Sequence, residues 1–93
     1  MNEAKLTEVF VTKYALTSGP FRVMAEVNES KGMCVYKTPG SYFHQYAHGN
    51  DFWLTQEDAL ADCDRRRAAK IKSIEKQKNK LECMTFTIVE ASA

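Results

Sequence analysis

No stretch of this 93-residue chain approaches the ~18 consecutive apolar residues of a membrane-spanning helix. The opening Met1-Asn2-Glu3-Ala4-Lys5 leads into no apolar run of signal-peptide length either. Both absences predict a cytoplasmic protein without a membrane partner. Cysteine is sparse and odd in number, with Cys34, Cys63 and Cys83 far apart and no C-x-x-C pair. That spacing fits thiols that stay free or act as small buried hydrophobes better than a disulfide framework, and zinc would need a fourth ligand and closer spacing. There are two prolines and four glycines, and Gly19, Gly32, Gly40 and Gly49 all sit at turn-like positions, so no phosphate-cradling loop or dinucleotide fingerprint is present. G-x-S-x-G and H-E-x-x-H are also missing. His44 and His48 are four apart but flank a turn, with no third ligand near them in order. The expectation is a non-enzyme with no cofactor and no metal.

What the chain does have is a polarised charge distribution. Arg65, Arg66, Arg67, Lys70, Lys72, Lys76, Lys78 and Lys80 crowd into sixteen positions against the single acid Glu75. Both flanking regions are net negative, so the formal net charge of +1 conceals a strongly basic segment. A clustered field of this kind steers and holds an oppositely charged partner. It also has a plainer explanation. Glu57, Asp58, Asp62 and Asp64 precede it in what reads as one helix, and lysines close that helix, an order that complements the helix dipole.

With 44% hydrophobic and 11% aromatic residues, the chain has enough apolar surface to form one domain spanning residues 1–93. Val9 to Leu16 is β-branched and aromatic and ends at Thr17-Ser18-Gly19-Pro20, a strand followed by a turn. From Phe21 to Val27 apolar and polar residues alternate, with Phe21, Val23, Ala25 and Val27 on the face expected to be buried. Met33–Lys37 and Tyr42–Ala47 read as further strands. Thr55-Gln56-Glu57-Asp58 comes close to a capping box, and the next break in helix-forming composition comes only at about Lys80. Leu60, Cys63, Ile71, Ile74 and Leu81 give this helix a narrow apolar stripe. Met84 to Val89 alternates again and reads as a closing strand. The expected fold is α+β: a small curved antiparallel sheet of four to five strands packed on one long helix. A partly open barrel is the alternative.

Two groups of residues are candidates for binding. On the helix, Arg65, Arg66 and Lys70 are placed to meet an acidic protein surface or phosphates. In the aromatic segment, Tyr42, Tyr46 and Trp53 have the composition of a contact surface. Arg67 and Lys78 interrupt the seam of Leu60, Ile74 and Leu81, which counts against self-pairing of the helix, although a homodimer stays open.

Thr12-Lys13-Tyr14-Ala15-Leu16-Thr17-Ser18-Gly19 resembles the T-K-Y-A-L-T-x-G opening of a recurring group of small phage and prophage proteins. The likeness continues through Gly49 to Asp58. It resumes in Lys70-Ile71-Lys72-Ser73-Ile74-Glu75-Lys76-Gln77 with Lys80-Leu81, and again at Phe86, covering about two-thirds of the chain. Pro20 and the acidic Asp62-Cys63-Asp64 depart from the group's pattern. The resemblance transfers no catalytic residue. It implies a mobile-element accessory protein that modifies host processes, with a host protein or protein complex as its partner, in the way an anti-CRISPR inhibits a host defence system. Nucleic acid bound along the basic helix is the alternative partner.

Overall fold

The computed structural model describes residues 5–91. It has the expected α+β architecture: a curled five-stranded antiparallel sheet and one long helix. The strands are β1 (Leu6–Val11), β2 (Phe21–Asn28), β3 (Met33–Tyr36), β4 (Gln45–His48) and β5 (Phe52–Trp53), and the helix α1 runs Gln56–Glu82. Across the sheet the order is β4-β3-β2-β1-β5, every pair antiparallel.

The register explains the core. Val9 lies opposite Val23 and Val11 opposite Phe21. Ala25 lies opposite Tyr36, and Cys34 opposite both Val27 and Ala47. Because side chains alternate between faces, these pairs gather on the inner face of the curl. Val9, Val11, Ala25, Cys34, Tyr36 and Ala47 form the buried cluster there, bordered by Phe21, Val23, Val27 and Phe52. The Phe21 and Tyr36 rings meet edge to face with centroids 5.8 Å apart. Lys13 spans the open side of the curl. Its ammonium donates to the Tyr46 carbonyl at 2.6 Å and lies 5.1 Å and 5.9 Å from the Tyr14 and Tyr36 ring centroids.

Several boundaries differ from the sequence reading. The first strand begins earlier and ends at Val11, not Leu16. Thr12 leaves the ladder because its N–H donates to the Asp51 carbonyl at 2.9 Å, and consecutive turns then carry the chain to Gly19. Gly19, at φ 96°, occupies a backbone region that a Cβ would disfavour. Of Tyr42–Ala47 only the part from Gln45 onward pairs, and Tyr42 and Phe43 are strongly exposed.

The fifth strand is Phe52–Trp53, placed before the helix, while Met84–Val89 forms no ladder and is exposed. The reason is reach. At ~1.5 Å per residue the 27-residue helix carries the chain ~40 Å from the sheet. The eight residues from Met84 to Ala91 span at most ~29 Å even when fully extended.

The helix begins as expected. The Thr55 hydroxyl accepts from the Asp58 backbone N–H at 3.2 Å, worth about 1 kcal/mol of helix stability. Its packing differs from expectation. Ala59 and Asp62 are its buried residues, and from Arg67 through Ala91 every residue is exposed. The apolar stripe of Leu60, Ile71, Ile74 and Leu81 therefore has no element packed over it among the described residues, each being about half exposed or more. The radius of gyration is 20.4 Å and the extents 71 × 36 × 27 Å. A compact chain of this length would have a radius of about 12 Å. The helix is an arm projecting from a small curled sheet.

Candidate interaction surface on the projecting helix

Helical geometry sorts the side chains of the arm into three faces. The first faces the sheet and is built from Ala59, Asp62 and Arg66. Asp62 Oδ2 accepts the Thr12 hydroxyl at 2.7 Å and Arg66 Nε at 2.7 Å. The Arg66 fork continues to the Asn50 carbonyl at 2.9 Å and to Asp51 Oδ1 at 3.0 Å. Burial opposes ionisation of Asp62, but the Thr12 hydroxyl and Arg66 guanidinium outweigh it and hold the carboxyl below the usual carboxylate range. Arg66 is raised in turn, chiefly by its hydrogen bond to Asp62.

Arg66 is thus an internal tie, unlike the exposed contact residue its place in the basic run suggested. Arg65 stands at the edge of this joint. Its guanidinium lies 5.6 Å from the Trp53 ring centroid and 3.5 Å from Asp62 Oδ1, with most of the side chain in solvent. The Trp53 indole nitrogen is buried without a hydrogen-bond partner.

The second face is basic. Arg65, Lys72, Lys76 and Lys80 fall within about 80° of arc. Lys72, Lys76 and Lys80 make no ion pair among the described residues, and each is exposed. Lys70 lies off this row, on the wall of a cleft shared with Lys13, Leu16, Arg66 and Ser73. The third face is the apolar stripe, opposite the lysine row.

The six residues singled out in the sequence do not converge. Tyr46 is on β4 and Trp53 on β5, the two opposite edges of the sheet, and Tyr42 lies in the loop before β4. Arg65 and Trp53 do meet, the guanidinium lying 5.6 Å from the ring centroid. The Thr12–Asp62 contact was missed, although a sequence signal for it existed. Asp62 and Arg66 share the helix face that carries Ala59, a carboxylate–guanidinium pair at i, i+4 on the packing side.

Among the described residues there is no cluster of metal-ligating side chains and no helix long and apolar enough to cross a membrane. Compared with known protein families, curated proteins and solved structures, the chain matches none of them.

Proposed function

We propose that this chain is a mobile-element accessory protein that works without catalysis, as a stoichiometric binder of an acidic host protein, and inhibits a host defence complex as an anti-CRISPR does. The observation that carries the binding reading is the row of Lys72, Lys76 and Lys80 with Arg65. It is a line of cations on a projecting helix, and the three lysines make no ion pair among the described residues, while Arg65 at its base is shared with Asp62. Long-range attraction from such a row raises encounter rates, and its solvation keeps the free arm stable in water. The mobile-element context rests on the resemblance of the Thr12–Gly19 and Lys70–Leu81 segments.

A second reading places nucleic acid on the same row. It draws support from the i, i+4, i+8 spacing of Lys72, Lys76 and Lys80, which sets a cation every ~6 Å along the arm. A pulldown from host lysate, split into nuclease-treated and untreated halves, separates the two. A partner protein retained at one-to-one stoichiometry after nuclease is the expected result. Nucleic acid alone, lost on treatment, would replace the first reading with the second.

A further inference from the structure

The free apolar stripe, the acids beside it and the stranded C-terminal segment belong together. We infer that two copies of this chain pair through α1 in antiparallel fashion, and that the Met84–Val89 segment of each copy docks at the base of the other's helix. The lysine row lies on the opposite side of the arm, so this inference goes beyond the proposed function and does not depend on it.

The seam bases decide the direction and register. Arg67 and Lys78 lie within the apolar stripe, where a parallel partner in register would set like charges against each other. An antiparallel partner whose two-fold axis passes beside Ile71 brings different residues together. Ile71 then faces its own copy, Arg67 falls across from Glu75, and Lys78 falls across from Asp64. Leu81 falls beside Leu60, and Ile74 beside the aliphatic stem of Arg67. In the single chain the same bases are held only by exposed neighbours, Arg67 by Asp64 at 2.9 Å and Lys78 by Glu82 at 3.7 Å. These pairs are weak enough to be exchanged across an interface.

The same register accounts for the tail. It sets Glu82, the last helical residue, beside Leu60 of the opposing copy, and from there the non-helical tail puts Phe86 within reach of a cleft of about 250 Å³ between sheet and helix. The cleft is lined by Phe10, Pro20, Phe21, Ala59 and Leu60, with Arg22 and Gln56 at its polar side, and it has room for one aromatic ring. A chain cannot fill its own cleft. Phe86 stands three residues past Cys83, a reach of ~10 Å, while its own Gln56 is a helix length of ~40 Å away. The alternation that made Met84, Phe86 and Ile88 read as one face of a strand serves here to press those three side chains onto the second copy. The near-complete exposure of Phe86 (83%) and Ile88 (100%) in the single chain then has a cause.

Sedimentation equilibrium of the full chain tests the pairing. The expected mass is twice the 10.6 kDa of the chain, and a 10.6 kDa particle at all concentrations would overturn the inference. Ile71→Asp changes a surface residue of the single chain, so it should leave the helical circular dichroism of the arm in place and give the monomer mass. A dimer that survives Ile71→Asp would overturn the seam. Arg67→Glu should weaken the dimer at least tenfold, and Arg67→Glu with Glu75→Arg should restore it, because only the antiparallel register joins those positions. Absence of rescue would overturn the register. Phe86→Ala should also raise the dissociation constant tenfold or more, and an unchanged constant would overturn the docking of the tail.

Discussion

Thr12 donates its hydroxyl to Asp62 Oδ2 at 2.7 Å across 50 residues of sequence, and this bond joins the end of β1 to the second turn of α1. The same threonine gives its backbone N–H to the Asp51 carbonyl, while Arg66 grips both Asp62 and Asp51. The sheet is held by apolar packing, but the joint between sheet and helix is mainly polar, with Ala59 the buried apolar helix residue within it. A joint of this kind fixes direction through hydrogen-bond geometry, and it depends on the charge of Asp62.

Removing that carboxylate should therefore damage the whole fold. Asp62→Ala leaves the Thr12 hydroxyl and the partly buried Arg66 fork without their shared acceptor, which should cost about 2–3 kcal/mol. Asp62→Asn keeps an acceptor for Thr12 and loses the ion pair, so a smaller loss of about 1–2 kcal/mol is expected. Urea unfolding followed by circular dichroism measures both. Equal losses would mean that the charge contributes nothing.

The pH dependence follows from the direction of the Asp62 shift. Its carboxyl titrates below its ordinary value in the folded chain. The unfolded chain takes up that proton first, at about pH 3.9. The stabilisation is therefore complete above about pH 4–5 and disappears as pH falls through the folded value. Unfolding midpoints measured from pH 7 down to pH 2.5 should drop in this window for the wild type and less steeply for Asp62→Asn. Identical slopes would remove Asp62 from the acid sensitivity of the fold.

The arginines and lysines of the basic run should separate into two classes. Lys72→Glu, Lys76→Glu and Lys80→Glu together reverse the exposed row and should abolish partner capture. Each change should cost at most ~0.5 kcal/mol of stability, the range usual for surface sites. Arg66→Glu opposes Asp62 and Asp51 at the joint and should unfold or severely destabilise the chain. Thermal melts run beside the pulldown discriminate the two. A stable Arg66→Glu variant would show that the joint is not what fixes the arm.

Much of this architecture could be read from residue order. The alternation of Phe21–Val27 gave the buried face of β2 correctly, because the period-two pattern reports burial directly. Thr55 marked the start of the helix, because a cap is a local device. What failed were inferences that needed distance. The β-branched run through Leu16 could not reveal that Thr12 leaves the sheet to bond Asp51 and Asp62. Met84–Val89 has strand composition, yet a ~40 Å helix separates it from every strand of its own chain. Ile71 and Ile74 repeat with helical period, yet the helix outruns the sheet and leaves both half exposed. At the candidate site, composition located the basic run but could not distinguish Arg66, tied inward, from Lys72 and Lys76, which face solvent.

The three thiols should react in an order set by depth. Cys34 is fully buried between Val27 and Ala47, and burial pushes its thiol up, away from the reactive thiolate. Cys63 is half-buried on the helix, and it too is raised, first by burial and then by the neighbouring Asp62 charge. Cys83 is exposed at the helix end. Under native conditions at pH 8, iodoacetamide should therefore label Cys83 first, Cys63 more slowly, and Cys34 only on the timescale of unfolding. Peptide mass spectrometry over a time course reads all three at once. Asp62→Ala should accelerate Cys34 and Cys63 together, since opening the joint raises the population of the unfolded chain. Rapid labelling of Cys34 in the wild type would contradict the packing of β3 between β2 and β4.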